Sequence, residues 1–394
     1  MKEGWTYRKL GEICSPKEQI KKAAKVFAPC DEIKYIDISS IDNNNRKMTG
    51  YTKYVMSDAP SRAQQCVQKG DILVSTVRPN LKNIAIVESN DGDLVASSGF
   101  CVLRPEDVER NYLFHYISSD TFTSHLTNLT TGANYPAVRD SDILNSLIPI
   151  PTKSLQRGIV DELDKINELI RLKKEQLREY DNLAQSIFYE MFGDPVENDR
   201  GWNVERLSNV STLLNGRAYS QNELLDEGKY KILRVGNFFT NGNYYYSNLE
   251  LEDDKYCYNG DLLFAWSASF GAFIWDGDKT IYHYHIWKVL FDKGLLNIHY
   301  YRFLLNAMTS SFMKDVHGIG MIHLTKAGME QYELPIPPLD PQEAFAEKIR
   351  TIELQKAAVV ASIKELETLL ESRMQYWFVI QPVAEQIIEN MYTE

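Results

Sequence analysis

Two histidines alternate in "YHYHIW", at His283 and His285. Histidine is the commonest metal ligand and can also meet a base edge. Alternate residues of a strand share a face, and such same-face histidines are ordinarily packed or solvated rather than metal-bound. A run of tyrosines, Tyr244 to Tyr246, offers a stacking surface for bases, but a hairpin tip or half-buried strand accounts for it more simply. The stretch "STVRPNLKN", Ser75 to Asn83, carries Arg78, Asn80 and Lys82 between two strand-like runs. Arginine can reach guanine with two hydrogen bonds and asparagine adenine, while lysine serves phosphate as a point charge. A plain solvated hairpin loop would look the same. Two further basic stretches are "KEQIKKAAK" (Lys17 to Lys25) and "NNNRK" (Asn43 to Lys47).

Catalytic signatures are missing from the sequence. There is no GxxxxGK[ST] loop, no GxGxxG turn after a strand, no HExxH and no GxSxG. No methyltransferase cofactor motif or amino-methylation tetrapeptide is found either; "PIPP" at Pro335 to Pro338 lacks the polar first and aromatic last residue. The five cysteines, Cys14, Cys30, Cys66, Cys101 and Cys257, form no CxxC pair, which argues for reduced thiols rather than a disulfide framework or zinc ribbon. No run of eighteen apolar residues and no signal-like start is seen, so a cytoplasmic protein is expected. The net charge of −11 speaks against binding a polyanion, although local clustering of Lys and Arg decides that question.

The elements that would position these residues are written twice along the 394-residue chain. "GWTYRKLGEI" (Gly4 to Ile13) returns as "GWNVERLSNV" (Gly201 to Val210), and "KGDILVSTV" (Lys69 to Val77) as "NGDLLFAWS" (Asn259 to Ser267). "TGANYPAVRDSDILNSLIPIP" (Thr131 to Pro151) returns as "HGIGMIHLTKAGMEQYELPIP" (His317 to Pro337). From Gly132 and Gly318 onward the register holds without a gap: Gln156 matches Gln342, and Phe192 matches Phe378. Each half opens with β-rich runs such as "EIKYIDIS", "DILVSTV" and "GFCVLRP", or "KYKILRVGNF", "DLLFAWS" and "HIWKVLF", whose alternation and β-branched content predict strands. A helix-like stretch follows in each, "NYLFHYISSDTFTSHL" and "IHYYRFLLNAMTSSFMKDV", then "IPIP".

After each closing proline a helical pattern runs for about forty residues, roughly 60 Å at ~1.5 Å per residue. In the first, Ile159, Leu163, Ile166, Ile170, Leu177, Tyr180, Ala184, Ile187 and Met191 step by fours and threes, broken at Lys173; this is a heptad seam. The second carries Phe345, Ile349, Ile352, Val359, Ile363, Leu366, Leu370 and Trp377. Each seam could pack on its own globular half. The expectation is instead that the two seams pack on each other, antiparallel, because the seam outlasts what one small domain covers.

The order "GW…L", "GDIL", "IPIP…Q" and long helix, given twice, resembles the specificity subunits of Type I restriction-modification systems, over nearly the whole chain to about Phe378. The resemblance implies an α+β fold: two similar target recognition domains, β-rich with peripheral helices, separated by two long antiparallel coiled-coil helices in a pseudo-twofold arrangement. The expected division is a first recognition domain at 1–151, a spacer helix at 152–192, a second recognition domain at 193–337, a second spacer at 338–380 and a tail at 381–394. It implies a non-catalytic subunit that reads a bipartite target in double-stranded DNA. Two methyltransferase subunits would dock on the spacer helices, and restriction subunits would join the full complex. No cofactor is expected in this chain; S-adenosylmethionine, ATP and Mg would belong to the partners. Candidate DNA contacts are Lys21, Lys22, Arg46, Lys47, Arg78, Asn80, Lys82, Tyr135 and Arg139 in the first half, and Tyr219, Ser267, Ser269, His285 and His323 in the second. A stand-alone DNA-binding regulator and a duplicated protein-interaction scaffold are the alternatives.

Overall fold

The computed structural model of the protein describes residues 4–132, 136–239, 242–267, 269–314 and 324–378. The chain divides into two compact units. One comprises the described residues up to Lys173 and those from Ser362 onward; the other runs from Lys174 to Ala361.

The first unit is built on a four-stranded sheet ordered Thr52–Val55, Glu32–Ile36, Leu94–Ser97, Ala63–Cys66, with one parallel pair at its centre. Beside it lie three strands ordered Phe100–Leu103, Ile72–Ser75, Ile84–Ile86, all antiparallel. The strands Ile72–Ser75, Leu94–Ser97 and Phe100–Leu103 are buried at every residue, which explains their unbroken apolar character. A short ribbon pairs Thr6–Lys9 with Leu147–Ile150, so the "GWTYRKL" and "IPIP" motifs are two edges of one ribbon.

The second unit repeats the plan. Tyr245–Ser247, Tyr230–Leu233, Thr280–Tyr282 and Tyr256–Cys257 form a sheet in that order, again with a parallel central pair. Ser211–Asn215, Ile286–Phe291, Leu262–Ser267 and Ser269–Ile274 form another, and Val204–Arg206 pairs with Glu333–Pro335. The helix-like stretch of each half is two helices rather than one. Arg110–Ile117 stops at Ser118, and Ser119 caps Asp120–Asn128 by accepting the Phe122 amide at 3.3 Å; such a serine offers the backbone an alternative to continuing the helix. Ile298–Ala307 likewise gives way to a second helix, Thr309–Lys314, at Met308.

The long helices are Lys153–Phe192 and Leu339–Phe378. Pro151 stands just ahead of the first, and the second carries Pro341 in its first turn, where a missing N–H costs nothing. Gly193 ends the first at φ +77°, and a Cβ there would lie 1.8 Å from an Asp199 oxygen, so only glycine fits this left-handed position. Their apolar residues are buried within each unit: Ile159, Leu163, Ile166 and Ile170 in the first, Ala184, Phe188, Phe345, Ile349 and Val359 in the second. In the second unit Asp181 pairs with Lys356, while Phe192 meets Phe345 at 5.4 Å; rising numbers on one helix face falling numbers on the other, so the packing is antiparallel. In the first unit Arg373 and Trp377 both hold the Glu162 carboxylate.

The "IPIP…Q" motif has a concrete task. Gln156 accepts the Glu109 amide at 2.9 Å and donates to the Pro151 carbonyl at 2.9 Å. Gln342 accepts the Asn297 amide at 2.8 Å and donates to Pro337 at 2.7 Å. In each half the glutamine ties the start of a long helix to the start of the helix that follows the strands. Asp71 and Asp261 of the "GD" motif also match. Each accepts the amide three residues back, from Gln68 or Tyr258, and each pairs with a cation of the neighbouring hydrogen-bonded segment, Arg104 just past Phe100–Leu103 or Lys288 within Ile286–Phe291.

Candidate nucleic-acid interface

In the first unit, the chain leaves strand Ile72–Ser75 and enters a strained loop. Arg78 (φ 49°) and Lys82 (φ 51°) flank a 3-10 turn at Pro79–Leu81, both in the left-handed region. Non-glycine residues there cost about 1 kcal/mol each, so the surroundings must hold them. The Arg78 amide donates to Pro136 O at 2.8 Å, Asn43 Nδ2 donates to Leu81 O at 3.2 Å, and the Lys82 ammonium pairs with Asp120. Arg78 and Asn80 are exposed at the loop surface. The hairpin from Asn43 to Lys47 lies against this loop through Asn43, with Arg46 half-buried at φ 52° and Lys47 exposed. Burial lowers the Arg46 pKa, and nearby Asp120 opposes the shift; arginine stays charged at neutral pH regardless. The structure thus brings Arg46, Lys47, Arg78, Asn80 and Lys82 into one loop cluster, with Asp120 shared between Arg46 and Lys82.

Lys21 and Lys22 belong to a different feature of the same unit. With Lys17 and Lys25 they line a groove of ≈ 890 Å³ whose other walls include Gln64, Gln65, Ser98 and Asp140. The Lys21 carbonyl accepts the Cys66 amide at 2.9 Å, which fixes the backbone beneath the lysines. Lys17 pairs with Asp140, and that hydrogen bond raises its pKa. Arg139 is exposed next to Asp140. Tyr135 and His323 lie outside the described residues.

In the second unit the counterpart of the Arg78 loop is a tight hairpin in which Ser267 faces Ser269. Ser267 is 1% exposed, so its side chain is packed rather than presented; Ser269 is half-buried. His283 and His285 are not alternate strand residues. Strand Thr280–Tyr282 ends before them, and they occupy the turn into Ile286–Phe291. The His285 ring lies 5.2 Å from Trp266 and 3.9 Å from Tyr284. Tyr219 is half-buried, 6.4 Å from His283, with the Arg217 guanidinium 5.2 Å from its ring. Arg217 pairs with Glu223 at 2.7 Å and holds that carboxyl down at about 2. Burial, with His285 and Arg234 adding to it, pushes His283 down to about 4, so the ring is neutral at pH 7. Tyr245 and Tyr246 are half-buried strand residues, as the simpler reading of that run has it.

Three contributors escaped the sequence reading. Trp266 and Tyr284 complete the aromatic group around His285. Arg234 is exposed, its guanidinium 5.3 Å from the Tyr245 ring; it sits in "KYKILRVGNF", where the strand pattern masked it. Among the described residues no group of His, Cys, Asp and Glu could hold a metal ion, and no helix is long and apolar enough to cross a membrane.

The profile of the family described as "Type I restriction modification DNA specificity domain" matches residues 2–180 and 199–368. The Type I restriction enzyme MjaIX specificity subunit of Methanocaldococcus jannaschii is 24% identical over 297 residues, 68% of each chain. The HindI specificity subunit of Haemophilus influenzae is 25% identical over 143 residues, 35% of this chain and 31% of that one. A chain from a solved structure on the complex assembly and conformational transition of the type I R-M system has a TM-score of 0.61 and 26% identity, covering 95% of this chain and 97% of its own. The S subunit of M. genitalium, at TM-score 0.51 and 11% identity over 96% of both chains, shares the fold.

Proposed function

The chain belongs to the family of Type I restriction-modification DNA specificity domains, and on that premise we infer that it is the DNA-recognition subunit of such a system, selecting a site without catalysing any step. The observation that carries this reading is the doubled plan with unlike loops. Equivalent positions after the "GD" strand hold Arg78, Asn80 and Lys82 in one unit and a compact, uncharged hairpin in the other. One scaffold with two sets of tips suits two half-sites of different sequence, because base contacts specify while phosphate contacts position.

In the first unit Arg78, Asn80, Arg46 and Lys47 are the proposed base readers, with Lys82 braced by Asp120. Lys21, Lys22 and Arg139 follow phosphates. Tyr219, Ser269 and His285 serve the second unit, Ser267 supporting the hairpin from within. The long helices act as spacers and as docking rods for two methyltransferase subunits, which bring S-adenosylmethionine; restriction subunits bring ATP hydrolysis and Mg. Partner surfaces supply cationic groups that a chain of net charge −11 lacks. Work on chromosomal DNA puts the complex in the cytoplasm.

Co-expression with the cognate methyltransferase subunit and mapping of modified bases tests the reading. The expected outcome is one interrupted sequence methylated only when this chain is present. Tight sequence-specific binding by the chain alone, with no methylation in the complex, would favour a regulator; a complex without any DNA preference would favour a scaffold.

A further inference from the structure

The two units can be aligned by their backbone hydrogen bonds. In the first, the Thr76 amide donates to Gly99 O at 2.9 Å and the Val138 amide to Thr76 O at 2.9 Å. In the second, the Trp266 amide donates to His285 O at 3.1 Å and the Leu324 amide to Trp266 O at 3.4 Å. Trp266 therefore stands where Thr76 stands, and the turn His283–Tyr284–His285 stands where Ser97–Ser98–Gly99 stands. The backbone is shared and the side chains are opposite in kind. In the first unit this turn is small, and Ser98 lines the lysine groove, on the side where a polyanion would lie.

We propose that the turn 283–285 is the base-reading element of the second half and that it selects thymine by contact with the C5-methyl group. The inference rests on the DNA-recognition role proposed above and names what one half of it reads. Four rings are contiguous at the turn: His283 to Tyr284 at 4.4 Å, Tyr284 to His285 at 3.9 Å, and His285 to Trp266 at 5.2 Å. Tyr284 is 37% exposed, and the indole N–H of Trp266 is already given to Tyr284 O at 3.0 Å. The turn presents ring faces and edges, with the Tyr284 hydroxyl and the imidazole nitrogens as its polar atoms. A base edge pressed against a ring face gives up its water without a replacement hydrogen bond, which is costly. Of the groups in the major groove, the thymine methyl alone is apolar and loses nothing by that contact. His283, kept neutral by burial, adds no charge that would redirect the turn toward phosphate.

The test uses the full chain in complex with its methyltransferase partners. Once the target is mapped, each thymine is replaced in turn by deoxyuridine, which removes the methyl and keeps the pairing. In one half-site at least one replacement should weaken binding about five- to tenfold, and Tyr284→Ala should abolish the difference between the two bases there while leaving the other half-site's selectivity intact. The triple change His283→Ser, Tyr284→Ser, His285→Gly, which restores the chemistry of the first half, should alter specificity in that same half-site. Equal affinity for thymine and deoxyuridine at every position of both half-sites overturns the proposal, as does the absence of any A·T pair from the half-site whose selectivity the triple change alters. Tighter binding to an unpaired base at the site, without a methyl effect, would mean the rings stack on a displaced base and would also overturn it. Loss of all sequence preference in the wild-type complex would instead strike at the DNA-recognition role itself.

Discussion

Phe378, at the end of the second long helix, packs edge-on against Tyr112, with ring centroids 5.5 Å apart. The Tyr112 hydroxyl in turn donates to the Pro149 carbonyl at 2.6 Å. The second unit repeats the arrangement: Phe192 meets Tyr300 at 4.6 Å, and the Tyr300 hydroxyl donates to Pro335 at 2.8 Å. Each long helix thus starts from the "IPIP" of one half and ends in the core of the other unit. Phe378→Ala and Phe192→Ala should each cost about 3–5 kcal/mol, read as a loss of denaturant midpoint. A cost below about 1 kcal/mol would mean the rings are not structural plugs.

Gln156 and Gln342 are buried, 1% and 0% exposed; Gln156 satisfies one backbone N–H and one carbonyl, and Gln342 one N–H and two carbonyls, those of Pro337 and Leu295. Replacing either by Leu leaves these groups unpaired, a loss of about 2–6 kcal/mol for the two at Gln156 at about 1–3 kcal/mol per orphaned group. Thermal denaturation of the two single variants should give the larger shift for Gln342→Leu, which orphans the Leu295 carbonyl as well. A silent Gln156→Leu would show that water replaces the side chain.

Hydrogen bonding from Arg373 holds the Glu162 carboxyl below the ordinary glutamate range; partial burial opposes this and the Trp377 indole adds to it. A carboxyl depressed in the folded state contributes stability that is present above its unfolded pKa. That contribution is lost as pH falls through the folded value. The wild-type chain should therefore lose more stability between about pH 6 and pH 3 than Glu162→Gln does. Equal acid sensitivity would mean that the Glu162–Arg373 pair contributes no pH-dependent stability.

The loop cluster and the lysine groove make separable predictions. Arg78→Ala should cost about 1–3 kcal/mol on the cognate duplex and relax preference at one base pair. Lys21→Ala and Lys22→Ala should weaken binding to all sequences alike and lower the salt slope by about one each. Competition assays at several salt concentrations distinguish these patterns, and an Arg78 variant weakened uniformly would reassign that residue to phosphate.

The parts legible in the sequence are those fixed by local periodicity or by repetition. The heptad steps from Ile159 to Ile170 predict a buried seam, and that seam is buried. The doubled "IPIP…Q" marks an equivalent structural position before its hydrogen bonds are seen. His-Tyr-His at 283–285 imitates strand alternation; what turns the chain there is the Ile286 amide donating back to His283 O at 3.0 Å, with the Tyr284 amide held by the distant Arg217 carbonyl at 3.0 Å. The lysine groove unites residues 17–25 with Gln64, Ser98 and Asp140, a neighbourhood that no spacing along the chain encodes. Arg234 went unnoticed because an arginine just after a buried strand carries no local signature.

On this reading each half selects its own part of a divided target. A methylation map from cells in which residues 1–150 are exchanged for the corresponding segment of another specificity subunit separates the two halves. A new sequence on one side of the gap, with the other side unchanged, is the predicted result. Simultaneous change on both sides would contradict it.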